Sequence, residues 1–277
     1  MKTFSVILTI LFFNLGLFAQ ENVVLIAHNN YLIGAANNGK WLKDIDVSAA
    51  NLKKTSKFFG FDPFKNEKPS EMYGTFDHLG CSADFFYFGK TSKTPENIFD
   101  DETTLKPVLA IGANANWNPL PRTARKIASG DKTYQKIALD LLRTKKLNVR
   151  SVKLENIFSV DLEGDGKDEI FLEATTYKNK NGEISGTARR GDYTFVLMRK
   201  IVAGKAKTFL IEGEFHPRKP AEDYITESDL AAFADLNGDG KLEVIIEAAY
   251  SYGGVSTGVY ELDKTSLRQA LFVECGD

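Results

Sequence analysis

Two acidic stretches hold the residues of this 277-residue sequence whose types and spacing suit a defined chemistry. The first is Asp161-Leu162-Glu163-Gly164-Asp165-Gly166-Lys167-Asp168-Glu169, and the second is Asp235-Leu236-Asn237-Gly238-Asp239-Gly240-Lys241-Leu242-Glu243. Both place oxygen-bearing side chains at loop positions 1, 3, 5 and 9, with glycine at position 6. Side chains at the first three of these positions can turn onto one point, glycine permits the bend, and the residue after it offers its backbone carbonyl. The last carboxylate then ligates directly or through water. Such a loop suits a hard cation that takes many oxygens, and calcium is the expected ion. The expected ligands are Asp161, Glu163, Asp165, Lys167 (carbonyl) and Glu169 in the first loop. In the second they are Asp235, Asn237, Asp239, Lys241 (carbonyl) and Glu243. An ordinary metal-free turn is the competing reading, because Asp, Asn and Gly form turns unaided. Matched spacing in two loops weighs against it. Clustered carboxylates repel one another, so the expected role of the ion is to hold the loop.

An EF-hand is excluded. Its bidentate glutamate would fall at Leu172 or Ile246, and the flanking runs Ile170-Phe171-Leu172 and Val244-Ile245-Ile246 have strand rather than helix character. With those trailing strands, the two loops resemble the calcium loops of FG-GAP and VCBS-type repeats, as found in integrin-like β-propellers and secreted bacterial proteins. The resemblance covers residues 157–275 at most. Glu163 departs from the Asp or Asn usual at position 3, and both loops carry Glu where Asp is usual at position 9. The resemblance implies propeller-blade-like repeats, and adhesion or ligand recognition as fold-level analogy. Only two repeats are visible, so a partial propeller or a compact β domain borrowing the loop is expected.

Other chemistry finds little support. Gly254-Val255-Ser256-Thr257-Gly258 has the spelling of a nucleophile elbow, but no histidine follows Ser256 and a strand, not a helix, is expected after it. It reads as a glycine-rich hairpin turn. His28, His78 and His216 stand in no metal-ligand spacing. Asp100-Asp101-Glu102 reads as a solvated charge run, and Arg189-Arg190 is too short for a nucleic-acid patch. Tyr250, Tyr252 and Trp117 are the aromatics that would stack on a glycan, although core roles are commoner for such residues.

These loops need β-strands to position them, and the surrounding sequence supplies strand-length apolar runs. Residues 157–160, 169–175, 193–202, 208–214, 230–234, 242–250, 259–262 and 271–273 have that character. The two loops start 74 residues apart, which marks an internal repeat of one supersecondary unit. One helix is expected over 131–146, from the apolar face of Tyr134, Ile137, Ala138, Leu141 and Leu142, with Asp131 as cap. Trp117 to Arg122 holds two prolines and reads as an ordered connector. Earlier, strands are expected at 23–27, 84–88 and 107–111, with a hairpin turning at Asn38-Gly39. A short helix is expected within 46–59, and 60–80 reads as loop.

The fold class is therefore mostly β, or β-rich α+β, with antiparallel sheets and one helix. Four segments are expected: a signal peptide at 1–19, an N-terminal β-rich region at 20–125, a helical connector at 126–150 and a β-repeat region at 151–277. Lys2, the apolar run Phe4 to Phe18 and Ala19 before Gln20-Glu21-Asn22 have the layout of a secretory signal peptide, which predicts a secreted or periplasmic protein. No later run is long enough for a membrane span. Cys81 and Cys275 are left as either a disulfide or two separate buried thiols. A formal net charge of −2 gives no reason to expect nucleic acid or an anionic membrane as a partner; the ligand expected of a binding module is a glycan or a protein. The expected function is a calcium-binding, non-enzymatic binding or structural module. The alternative is a calcium-dependent extracellular hydrolase acting on glycan or peptide.

Overall fold

The computed structural model describes residues 23–42, 55–65, 68–77, 85–90, 108–178, 184, 186–220, 224–263 and 266–276. The expected signal segment, Cys81, His78 and the Asp100-Asp101-Glu102 run lie outside the described residues. In chain order the strands are Val24–His28 (β1), Tyr31–Asn37 (β2), Lys40–Leu42 (β3), Thr55–Phe61 (β4), Ser70–Asp77 (β5), Phe85–Gly89 (β6), Leu109–Gly112 (β7) and Arg125–Lys126 (β8). The helix Lys132–Thr144 (α1) follows, and then Asn156–Val160 (β9), Glu169–Thr175 (β10), Tyr193–Val202 (β11) and Lys205–Phe215 (β12). Thr226–Ala234 (β13), Glu243–Tyr250 (β14), Val255–Asp263 (β15) and Ser266–Cys275 (β16) complete the chain. The protein is mostly β, and every named strand pairing is antiparallel.

Each acidic loop joins the first two strands of a four-stranded meander. The first meander runs β9 to β12, with β8 added beside β9, and the second runs β13 to β16. The apolar runs after the loops are continuous, not alternating, because both faces of each sheet are covered. Val244 and Ile246 of β14 pack with Phe158, Phe171, Val196 and Met198 of the first meander. Ile245, between them, packs with Val24, Ile26, Ile33 and Ile111 of the N-terminal sheet. Leu172 and Ala174 of β10 turn the other way, onto Ala138 and Leu142 of α1. The layers thus run helix, first meander, second meander, N-terminal sheet. α1 starts where Asp131 accepts the Thr133 N–H at 2.8 Å, a helix N-cap. Among the described residues, no helix is long and apolar enough to cross a membrane.

The N-terminal sheet has the order β1-β7-β4-β5-β6-β2-β3, and β1 also pairs with β2, so the sheet curls back on itself. Asn38-Gly39 turns β2 into β3 with both residues at positive φ (48° and 77°), as a two-residue hairpin requires. Two expectations fail here. Residues 55–59, expected within a helix, belong to β4, which pairs with both β5 and β7. Within the expected loop 60–80, Ser70–Asp77 is strand. Gly74 there is not a turn former: a Cβ on it would come within 2.8 Å of the Phe58 ring and 3.0 Å of the Phe88 ring. Close packing against two buried aromatics, not backbone freedom, selects glycine at that position.

Candidate metal centres

Both loops are wound by nearly the same internal hydrogen bonds, except that the Asp165 N–H goes to Asp161 (3.1 Å) and the Asp239 N–H to the Asn237 side chain (2.8 Å). The Asp161 carboxylate accepts the N–H groups of Gly164 (2.7 Å) and Gly166 (2.8 Å). The Asp235 carboxylate accepts those of Gly238 (2.7 Å) and Gly240 (3.0 Å). At loop position 5, Asp165 and Asp239 each accept the N–H two residues on, at 2.9 and 2.8 Å. At position 9, Glu169 and Glu243 reach back to the N–H of Leu162 (3.1 Å) and Leu236 (2.7 Å). Gly166 and Gly240 hold φ near +80°, the left-handed conformation that glycine adopts without strain.

The loops differ in what completes them. On the first, the Lys200 ammonium of β11 donates to Glu169 at 2.7 Å and also to Glu163. Lys200 is 8% exposed. Burial pulls its pKa down, but the bonds to the two glutamates outweigh this and leave it raised. On the second loop, Asp235, Asn237 and Glu243 are all buried. Asn237 donates its amide to Glu243 at 3.2 Å. Among the described residues, no lysine or arginine forms an ion pair with Asp235, Asp239 or Glu243. Burial pushes the Glu243 carboxyl well above its usual range; the Leu236 N–H opposes this, and the charges of Asp239, Asp235 and Glu261 add to it. Asp235 is raised by burial too, against the N–H groups of Gly238 and Gly240.

Strand register explains the contrast. Ile170 pairs with Arg199, so the next residue in each strand sets Glu169 beside Lys200. Val244 pairs with Tyr260, so Glu243 stands beside Glu261. Glu261 accepts the Trp41 indole N–H at 2.7 Å and is held by Arg268. With Asn237, Asp239, Glu243 and Asp263, and with the cations Lys241 and Arg268, it lines an open cleft of about 360 Å³.

The connector before α1 ties the loops together. Arg122 donates to the carbonyls of Asp161 (2.7 Å), Leu162 (3.0 Å) and Gly240 (2.8 Å). Trp117 donates its indole N–H to the Asp235 carbonyl at 2.9 Å, and Gly39 donates to the Asn237 carbonyl at 3.1 Å. The second loop is thus the junction of the second meander with the N-terminal sheet. Lys200, Glu261, Arg122 and Trp41 stand outside both loop motifs, and each acts through a partner brought near only by the fold. The one sequence signal among them is the Arg199-Lys200 pair, charged residues inside an otherwise largely apolar strand. Among the described residues, no three His, Cys, Asp or Glu side chains already converge as a ligand set.

The remaining candidates fall elsewhere. Ser256 lies in β15, buried, and accepts the Tyr250 hydroxyl at 3.0 Å; it is no elbow. His28 is a buried bridge from the Val108 carbonyl to Glu247, each at 2.7 Å. His216 lies 2.9 Å from Glu214. Between the meanders is a polar layer: Lys178 pairs with Asp229 (2.7 Å) and Glu227 (3.1 Å), and Glu173 lies nearby, 3% exposed. Burial pushes the Glu173 carboxyl up to about 7, against the Leu230 N–H that it accepts at 2.6 Å. Tyr250 stacks on Tyr252 (ring centroids 5.2 Å apart), which meets Tyr224 edge-on, and Tyr224 and Tyr252 are more than half exposed. Cys275 is disulfide-bonded. Comparison of the chain with protein-family models, curated proteins and solved structures finds no match.

Proposed function

We propose that this chain is an exported, calcium-stabilised β protein that serves as a non-enzymatic binding or structural module, with the second loop as its calcium site. The observation that carries the reading is Glu243: a carboxylate 1% exposed, packed with buried Asp235 and Asn237, and paired with no cationic side chain among the described residues. A buried anion without a counter-charge is costly, and a divalent ion would supply that charge. Asp235, Asn237, Asp239, the Lys241 carbonyl and Glu243 would hold it. Because Trp117 and Gly39 are bonded to the same loop, fixing it would also stiffen the contact between the second meander and the N-terminal sheet. Export rests on the layout of residues 1–19. The exposed faces of Tyr224 and Tyr252 are the surface best suited to a glycan or protein ligand. Calcium titration of chelator-stripped protein, followed by calorimetry and thermal melting, tests the reading. A binding heat and a raised Tm are expected, and the absence of both would end it.

A second reading, the extracellular hydrolase, draws on Glu173 and Glu227. A carboxyl pushed up to about 7 has the protonation of a proton donor at neutral pH, but Glu173 and Glu227 are 3% and 1% exposed, so a substrate would reach them only if the layer between the meanders opened. Turnover in a screen of glycans and peptides that is lost in Glu173→Gln would favour it over the binding module.

A further inference from the structure

We propose that Lys200 is the resident cation of the first loop, a tethered ammonium in place of the metal, so that the chain takes up one divalent ion rather than two. This inference rests on the reading of the second loop as a calcium site. Loop positions 3 and 9 contribute two of the oxygens that a bound ion would need, and Lys200 Nζ already sits on both of them, Glu163 and Glu169. Calcium oxygens lie at about 2.3–2.6 Å and ammonium oxygens at about 2.7–2.9 Å, so the two cations would compete for one place. They would also repel each other there. The lysine is 8% exposed and Glu169 is buried, so leaving would strip both charges of their partners.

The second loop has the opposite arrangement at the same place. Its ladder neighbour is Glu261, a carboxylate at the cleft holding Asp239 and Glu243 that points its own charge to Arg268 and the Trp41 indole, so that no cation among the described residues is aimed at Glu243. The residue facing position 9 from the third strand of the meander therefore selects between a metal site and a self-contained ion pair. The loop sequences differ only at position 3, Glu163 against Asn237, and position 8, Asp168 against Leu242, and neither change by itself reveals the lysine.

Reciprocal exchange tests this on the full chain, with bound calcium counted by elemental analysis after stripping with chelator and dialysis against calcium. Native protein is expected to hold a single ion, Lys200→Glu a second, and Glu261→Lys none. Asp235→Asn should lose the native ion and Asp161→Asn should keep it. Two ions in the native chain, or one that survives in Asp235→Asn, would overturn the inference while leaving calcium binding itself intact. No ion in the native chain would overturn the calcium reading and this inference with it. Should Lys200→Glu fail to fold, Glu261→Lys decides, and an ion retained there also overturns the proposal.

Discussion

The two acidic loops share a spelling and a backbone but end in different electrostatic states. Asp161 and Asp235 wind their turns through nearly the same hydrogen bonds. Yet one loop closes on a lysine 31 residues beyond its last glutamate, and the other leaves its last glutamate buried beside a further carboxylate. The loop sequence specifies the turn; the strand across the ladder specifies the charge inside it. The same divergence recurs twelve residues after each first aspartate, at Glu173 and Glu247. Glu173 keeps an oxygen with no hydrogen-bond partner, whereas Glu247 is clamped by His28 and Asn29.

The largest expected effect breaks the first loop. Lys200→Met removes one side of a buried ion pair and strands Glu169, and such losses cost about 3–5 kcal/mol. Chemical denaturation should show that loss in chelator. A variant within about 1 kcal/mol of native would mean that the lysine is not what holds the loop.

Next in size is a pH contrast between the paired glutamates. Glu173 is raised from 4.5 to about 7 in the fold, so the folded state binds the proton more tightly. Its contribution is complete below pH 4.5, falls as pH climbs toward about 7, and is flat beyond. Glu173→Gln should remove that decline, worth at most about 3 kcal/mol. Glu247 has the opposite sign: burial pushes it up, but the bond from His28 outweighs this and lowers it. Its contribution is present above its ordinary carboxylate pKa and lost as the solution is acidified below it. Stability measured from pH 2 to pH 8 on Glu173→Gln and Glu247→Gln should therefore separate the two, with parallel curves erasing the distinction.

Removing calcium should weaken the second loop alone. At free calcium a hundredfold above Kd the ion contributes about 2.7 kcal/mol, which chelation would withdraw. Asp235→Asn should abolish the chelator effect and Asp161→Asn should leave it. Equal loss of chelator sensitivity in both would show the loops to be alike after all.

Much of this architecture is legible in the chain, and what is not has a physical pattern. Local features were visible: the strands flanking both loops, the helix with Asp131 at its start, the Asn38-Gly39 turn, and the proline-bearing connector. Each is set by residues within a few positions of one another. The charge balance of the loops was not visible, since Lys200 and Glu261 meet position 9 only through ladder register. Arg122 reads as a connector residue until its guanidinium is seen spanning both loops. β4 overlaps a stretch whose Ala49, Ala50, Leu52 and Lys53 favour a helix, and β5 lies where glycine and charge suggest a loop; the pairing of β4 with β5 and β7 supplies the backbone partners that make both of them strands.

The smallest effects separate the walls of the loops. Gly238 and Gly240 have nearly equal φ, +81° and +83°, so alanine at either position costs about 1–2 kcal/mol of backbone strain. Their surroundings differ. A Cβ on Gly240 meets nothing within 4 Å, whereas one on Gly238 falls 2.8 Å from the Trp117 ring. That ring is pinned by its bond to the Asp235 carbonyl and cannot move without releasing the loop. In the first loop the matching neighbour of Gly164 is the tip of Arg122, at 2.9 Å, and Gly166 is open. Gly238→Ala should therefore be the most damaging of the four by thermal melting, Gly164→Ala next, and Gly240→Ala and Gly166→Ala the mildest. Equal losses at Gly238 and Gly240 would mean that Trp117 yields, and that the second loop has no rigid wall to distinguish it from the first.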